Sequence, residues 1–161
     1  MVEKKRNGCP VPNGTLLVIG GAENKGERGT ENKETPPGFK RLEILKTFIE
    51  LTGKKDPVLE VVTSASTEGN ESYKVYRETF KELGIGNLGH IHHTSRKELL
   101  DDVSLAERLK KADAIFFAGG DQLKYTSIYG GTDFLKGMKN KYIHDGLVVA
   151  GTSAGAMALS T

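Results

Sequence analysis

Short, unbroken apolar runs rich in β-branched and aromatic residues recur along this chain, separated by longer segments of helical period. That alternation constrains the fold more than any other feature. Thr15 to Ile19, Val58 to Val62, Ala114 to Phe117 and Leu147 to Ala150 are continuous runs, as expected of strands covered by helices on both faces. His90 to His92 is a fifth, weaker strand. Strands alternating with helices predict an α/β fold around a mostly parallel sheet.

The intervening helices are read from spacing. Leu42, Leu45, Phe48, Ile49 and Leu51 form one stripe on a helix from about Phe39 to Thr52, stopped by Gly53. Val75, Tyr76, Phe80 and Leu83 form another from about Glu71 to Leu83, stopped by Gly84. A third helix, about Ser104 to Lys111, has Ser104 and Glu107 in the pattern of a capping box. A fourth, about Thr132 to Ile143, carries Phe134, Leu135, Met138 and Tyr142.

With 161 residues, one domain is expected. The 37% hydrophobic and 27% charged composition suits a soluble globular protein, and no apolar run reaches the ~18 residues that span a bilayer. There is no apolar stretch before Thr15 to serve as a secretory signal, so a cytoplasmic location is expected. A net charge of +2, from 23 basic and 21 acidic residues interspersed along the chain, gives no case for nucleic acid. Cys9 is the single cysteine, which excludes an internal disulfide and a cysteine metal cluster. Residues 1–13 read as a leader. Residues 24–37, highly charged and with two Gly and two Pro, read as a surface loop leaving the carboxyl end of the first strand.

Three segments carry chemistry. Leu147-Val148-Val149-Ala150 runs into Gly151-Thr152-Ser153-Ala154-Gly155, the strand, tight turn and helix order of a nucleophile elbow, in which small neighbours let a strained Ser expose its Oγ. Ala154 N–H would then face a developing oxyanion. The alternative is a Gly-rich structural turn. Ile115-Phe116-Phe117 ends in Ala118-Gly119-Gly120-Asp121-Gln122, where glycines let the backbone approach a ligand and Gln122 offers both a donor and an acceptor. Here the alternative is an ordinary βα turn with Asp121 as N-cap. Gly20-Gly21-Ala22-Glu23 follows the first strand and fits no nucleotide-binding pattern. Close approach of the backbone to a crevice is the better reading.

Taken in order, Ile19-Gly20-Gly21-Ala22-Glu23, Ala118-Gly119-Gly120-Asp121-Gln122 and Gly151-Thr152-Ser153-Ala154-Gly155-Ala156 resemble the cyanophycinase branch of the S51 serine peptidases. The resemblance implies a flavodoxin-like sheet related to class I glutamine amidotransferases. It implies a serine exopeptidase for β-linked aspartyl peptides, in the cyanophycinase branch one that cleaves the poly-aspartate backbone of cyanophycin (multi-L-arginyl-poly-L-aspartate) to give β-aspartyl-arginine dipeptides. Ser153 is then the nucleophile, Gly120 and Ala154 the oxyanion hole, and Gln122 with Asp121 the substrate pocket. No cofactor or metal is expected, nor a nucleic-acid or membrane partner, and a homodimer is left open.

The general-base His and its acidic partner should follow the Ser, yet only eight residues lie beyond Ser153 and none is His. The chain is therefore expected to be the amino-terminal portion of a single peptidase domain. His90, His92 and His93 read as strand residues rather than metal ligands, and His144-Asp145 as part of a turn with Gly146. Two other readings stand beside the exopeptidase: a related aspartyl dipeptidase, and a non-catalytic α/β binding domain.

Overall fold

The computed structural model describes residues 5–6, 9–21 and 42–160. The segment 24–37, together with Ala22, Glu23 and the expected start of the first helix, lies outside the described residues. Two short strands, β1 (Lys5–Arg6) and β2 (Cys9–Pro10), pair antiparallel. The main chain then runs β3 (Thr15–Ile19), α1 (Glu43–Glu50), β4 (Leu59–Val62), α2 (Gly69–Glu82), β5 (Leu88–Ile91), α3 (Arg96–Asp101), α4 (Leu105–Lys111), β6 (Ala114–Phe117), α5 (Gln122–Tyr129), α6 (Asp133–His144), β7 (Val148–Thr152) and α7 (Ala154–Ala158).

Strands β3 to β7 form one five-stranded sheet in the order β3-β7-β6-β4-β5, and every pairing is parallel. Helices cover both faces of the central strands β4, β6 and β7, as their continuous apolar runs require, while the edge strand β3 leaves Leu16 and Val18 exposed. On one side Leu45 and Phe48 of α1 and Tyr76 and Phe80 of α2 pack on Leu59, Val61, Phe116 and Val148. Phe116 sits at the centre, with its ring 5.4 Å from that of Phe48 and 5.2 Å from that of Tyr76. On the other side Leu109, Tyr125, Tyr129, Phe134 and Met138 cover Ile91, Ile115, Phe117 and Val149. Burying one such aromatic contributes roughly 1.5 to 3 kcal/mol. No helix among the described residues is long and apolar enough to cross a membrane.

Three sequence expectations are corrected. The weak strand is Leu88–Ile91 rather than His90 to His92, so Gly89 lies within it. A Cβ on Gly89 would lie 2.1 Å from Glu60 Oε2, space filled by the Glu60–Arg108 ion pair. Ser104 makes no capping bond to α4; its hydroxyl donates to Asp102 Oδ1 at 2.6 Å. The capping box lies one helix earlier. Ser95 accepts the Glu98 N–H at 3.2 Å, and Glu98 in turn accepts the Thr94 N–H at 2.7 Å. Finally, α3 and α5 are helices that periodicity did not predict.

Candidate active site

The strand order brings the three glycine-containing segments together. β3, β7 and β6 are consecutive neighbours in the sheet, so the residues that follow them share the carboxyl edge where open α/β sheets bind ligands.

Ser153 follows β7 directly, with φ 50° and ψ −114°. Such a backbone is costly for any residue but Gly and persists only where the surroundings hold it. Here its N–H donates to the Ile19 carbonyl at the end of β3 (3.0 Å), and its carbonyl accepts the Met157 N–H (3.0 Å). Thr152 hydroxyl donates to the Gly21 carbonyl, tying the same turn to the β3 loop. The Ser153 side chain is exposed, and its Oγ makes no hydrogen bond among the described residues.

The small residues around the elbow are required by contact. A Cβ on Gly155 would stand 2.3 Å from the Phe117 carbonyl oxygen, and one on Gly151 would stand 2.6 Å from the Gly155 carbonyl carbon. The first turn of α7 therefore rests directly on the backbone of β6 and β7.

Beyond β6, Gly119 lies against the elbow: a Cβ there would be 3.6 Å from Ser153 Cβ. Gly120 has φ 145°, and its Cβ position is only 2.5 Å from the Ala65 carbonyl oxygen. That carbonyl accepts the Asp121 N–H at 3.0 Å. Asp121 is the N-cap of α5, its Oδ1 accepting the Leu123 N–H at 2.8 Å, as the ordinary βα turn would have it. Gln122, the first residue of α5, is half-buried and makes no side-chain hydrogen bond among the described residues. Tyr125, one turn later, lies 2.8 Å from both the Val62 and Ala118 carbonyl oxygens. Burial pushes its phenol pKa up, so it remains a donor there.

No histidine is part of this group. His90 and His92 lie at the end of β5, three strands from β7, roughly 14 Å at the usual strand spacing. His144 ends α6 at the opposite, amino-terminal edge of β7, about 16 Å away along a five-residue strand. The histidines instead meet side chains that sequence reading did not single out. His90 Nε2 and His92 Nδ1 bond Thr63 Oγ1 at 2.8 and 3.1 Å, and His90 stacks on Tyr73. Burial first, then the neighbouring His92 and Arg108, lowers the His90 pKa to about 4. His93 bonds Tyr129 and Asp102. The sequence signal was the small polar run Thr63-Ser64-Ala65-Ser66 at the end of β4, on the same edge as the glycines. No group of three or more potential metal ligands occurs among the described residues.

The sequence profile of Peptidase family S51 matches residues 34–161. A cyanophycinase of Synechococcus elongatus is 31% identical over 146 residues, covering 91% of this chain and 41% of the relative. One of Geminocystis herdmanii is 30% identical over 145 residues, covering 90% of this chain and 48% of the relative. The chain thus spans less than half the length of these curated relatives. The crystal structure of a peptidase from an acI-B1 Actinobacterium superposes with a TM-score of 0.69 at 24% identity, over 93% of this chain and 58% of that one, a likeness of fold. The profile match over most of the chain, on a sheet whose three glycine segments converge as described, shows that this chain belongs to peptidase family S51.

Proposed function

We propose that this chain supplies the nucleophile and oxyanion-binding part of a serine exopeptidase that hydrolyses cyanophycin to β-aspartyl-arginine dipeptides. The observation that supports it most is Ser153: a strained residue at a strand end, with its hydroxyl exposed and unbonded among the described residues, in a family whose named relatives are cyanophycinases.

Ser153 Oγ attacks the carbonyl carbon of the scissile amide, and a base takes its proton. The carbonyl oxygen becomes an oxyanion that accepts hydrogen bonds from Gly120 N–H and Ala154 N–H, donors fixed by the backbone and needing no reorganisation. The C–N bond then breaks as the leaving amine gains the proton, and water hydrolyses the acyl-Ser153 ester. Gln122, half-buried and with no side-chain hydrogen bond among the described residues, binds the polar substrate. Asp121 has one oxygen engaged in capping and the other for the substrate's cationic groups. A Ser hydroxyl without a base is a weak nucleophile. In this reading residues 1–161 are the amino-terminal portion of one α/β peptidase domain, and the base and its acidic partner come from polypeptide outside this sequence.

Ser153→Ala in the full-length protein tests the reading on cyanophycin and on β-aspartyl dipeptides. The variant should fold and show no turnover. Cleavage by the variant at the wild-type rate sinks the assignment; cleavage of aspartyl dipeptides but not of the polymer by the wild-type protein favours the dipeptidase.

A further inference from the structure

A chain of buried side chains runs from the surface to the loop that holds Gly120. Asp102, partly exposed, accepts from His93 Nε2 at 3.2 Å. His93 Nδ1 lies 3.1 Å from the Tyr129 hydroxyl, which lies 2.7 Å from Ser64 Oγ. Ser64 Oγ also accepts the backbone N–H of His93 at 2.9 Å. Ser64, His93 and Tyr129 are 1%, 6% and 4% exposed.

One arrangement of the protons uses every one of these groups. The Ser104 hydroxyl first, and His93 after it, hold the Asp102 carboxyl below the usual carboxylate range, so Asp102 accepts. With the donor proton on Nε2, the His93 ring accepts at Nδ1 from Tyr129, and Tyr129 accepts from Ser64. Every polar atom is then used, the condition under which a buried network rigidifies its surroundings.

What it rigidifies lies beside the candidate site. Ser64 precedes Ala65, whose carbonyl receives the Asp121 N–H and faces Gly120 in contact too close for any Cβ. Tyr129 ends the helix that Asp121 begins. The two walls around Gly120, the 63–66 loop and α5, are thus joined through Ser64 and Tyr129.

We propose that Tyr129, backed by Ser64, His93 and Asp102, is a positioning residue that holds the Gly120 backbone in the conformation that faces the acyl oxygen at Ser153. The proposal rests on Ser153 being the nucleophile, but its structural half is measured independently. The test compares Tyr129→Phe and Asp102→Asn with Asp113→Asn, which removes the charge and one of the two acceptors that bond Lys54 and the Val58 N–H at the other edge of the sheet. Amide exchange at Gly120 and Asp121 is followed together with kcat and KM in the full-length protein.

Tyr129→Phe should speed exchange at Asp121 and lower kcat, each about tenfold, with KM within about twofold, since a small misplacement of a catalytic group costs rate more than binding. Asp102→Asn should shift both in the same direction by less, and it carries the test if Tyr129→Phe fails to fold. Asp113→Asn should change neither. The proposal is overturned if Asp121 exchange is unchanged in both network variants, if exchange rises while kcat holds, or if Asp113→Asn reproduces the effects. Retained turnover in Ser153→Ala would remove the nucleophile reading alone, and the exchange rates would still decide whether Tyr129 holds Gly120.

Discussion

Two stretches of the same sheet edge differ in how they use their polar groups. Beyond β4 and β5, Thr63, Ser64, His90, His92, His93 and Tyr129 bond one another inside the protein. Beyond β3, β7 and β6 the pattern reverses. The backbone is strained at Ser153 and left-handed at Gly120, while the side chains of Ser153 and Gln122 have no hydrogen-bond partner among the described residues. A polar group beside a packed core is normally bonded. The stretch whose groups are left over, on a backbone held rigid from below, is built to receive something. The stretch whose groups are satisfied is the frame that holds it.

The comparison breaks most readily at the backbone contact beneath the elbow. Gly155→Ala places a Cβ within 2.3 Å of the Phe117 carbonyl oxygen, and should cost about 3 kcal/mol or more of stability, at the top of the range for overpacking. Gly86→Ala, whose Cβ meets nothing nearer than Asp56 Oδ2 at 3.6 Å, should stay within about 1 kcal/mol of wild type by urea denaturation. Equal losses would mean that the elbow is not held by close packing.

Gln122→Ala sharpens the comparison from the receptive side. Removing a side chain with no bond among the described residues should leave stability within about 0.5 kcal/mol, while kcat/KM falls about tenfold, the worth of one hydrogen bond to substrate. A clear drop in thermal midpoint with unchanged kinetics would return Gln122 to the frame.

A pH-dependent effect belongs to the frame itself. His90 is held near pKa 4 against an ordinary 6.5, so between those values the unfolded chain binds more protons than the folded one, and stability falls as pH drops from about 6.5 to about 4. His90→Gln should flatten that fall without affecting stability's pH dependence above pH 7. An unchanged slope would place the titration elsewhere.

Much of this was legible in the sequence, for reasons that also mark the limit. Ala114–Phe117 was predicted to the residue because a strand buried on both faces has to be apolar throughout; Thr15–Ile19 was predicted to the residue from its apolar run, although as an edge strand it leaves Leu16 and Val18 exposed. The elbow was legible because only small residues fit between α7 and the backbone of β6. Strand order was not, since each βα unit reads alike, and the convergence of the three glycine segments depends on β7 inserting between β3 and β6. α5 was missed because its one buried stripe, Tyr125, Ile128 and Tyr129, spans little more than a turn of an eight-residue helix, and its other large apolar residue, Leu123, is exposed. The Asp102–His93–Tyr129–Ser64 chain joins four separate elements, and no local pattern announces it.

The central claim is that the strain at Ser153 serves a reactive hydroxyl, and covalent labelling measures this most directly. Full-length protein treated with a fluorophosphonate and mapped by mass spectrometry should carry one modification, on Ser153, with Ser64 unmodified because it is buried. The label should disappear in Ser153→Ala. A protein that hydrolyses cyanophycin while Ser153 stays unlabelled, or that carries its label on another residue, would contradict the account.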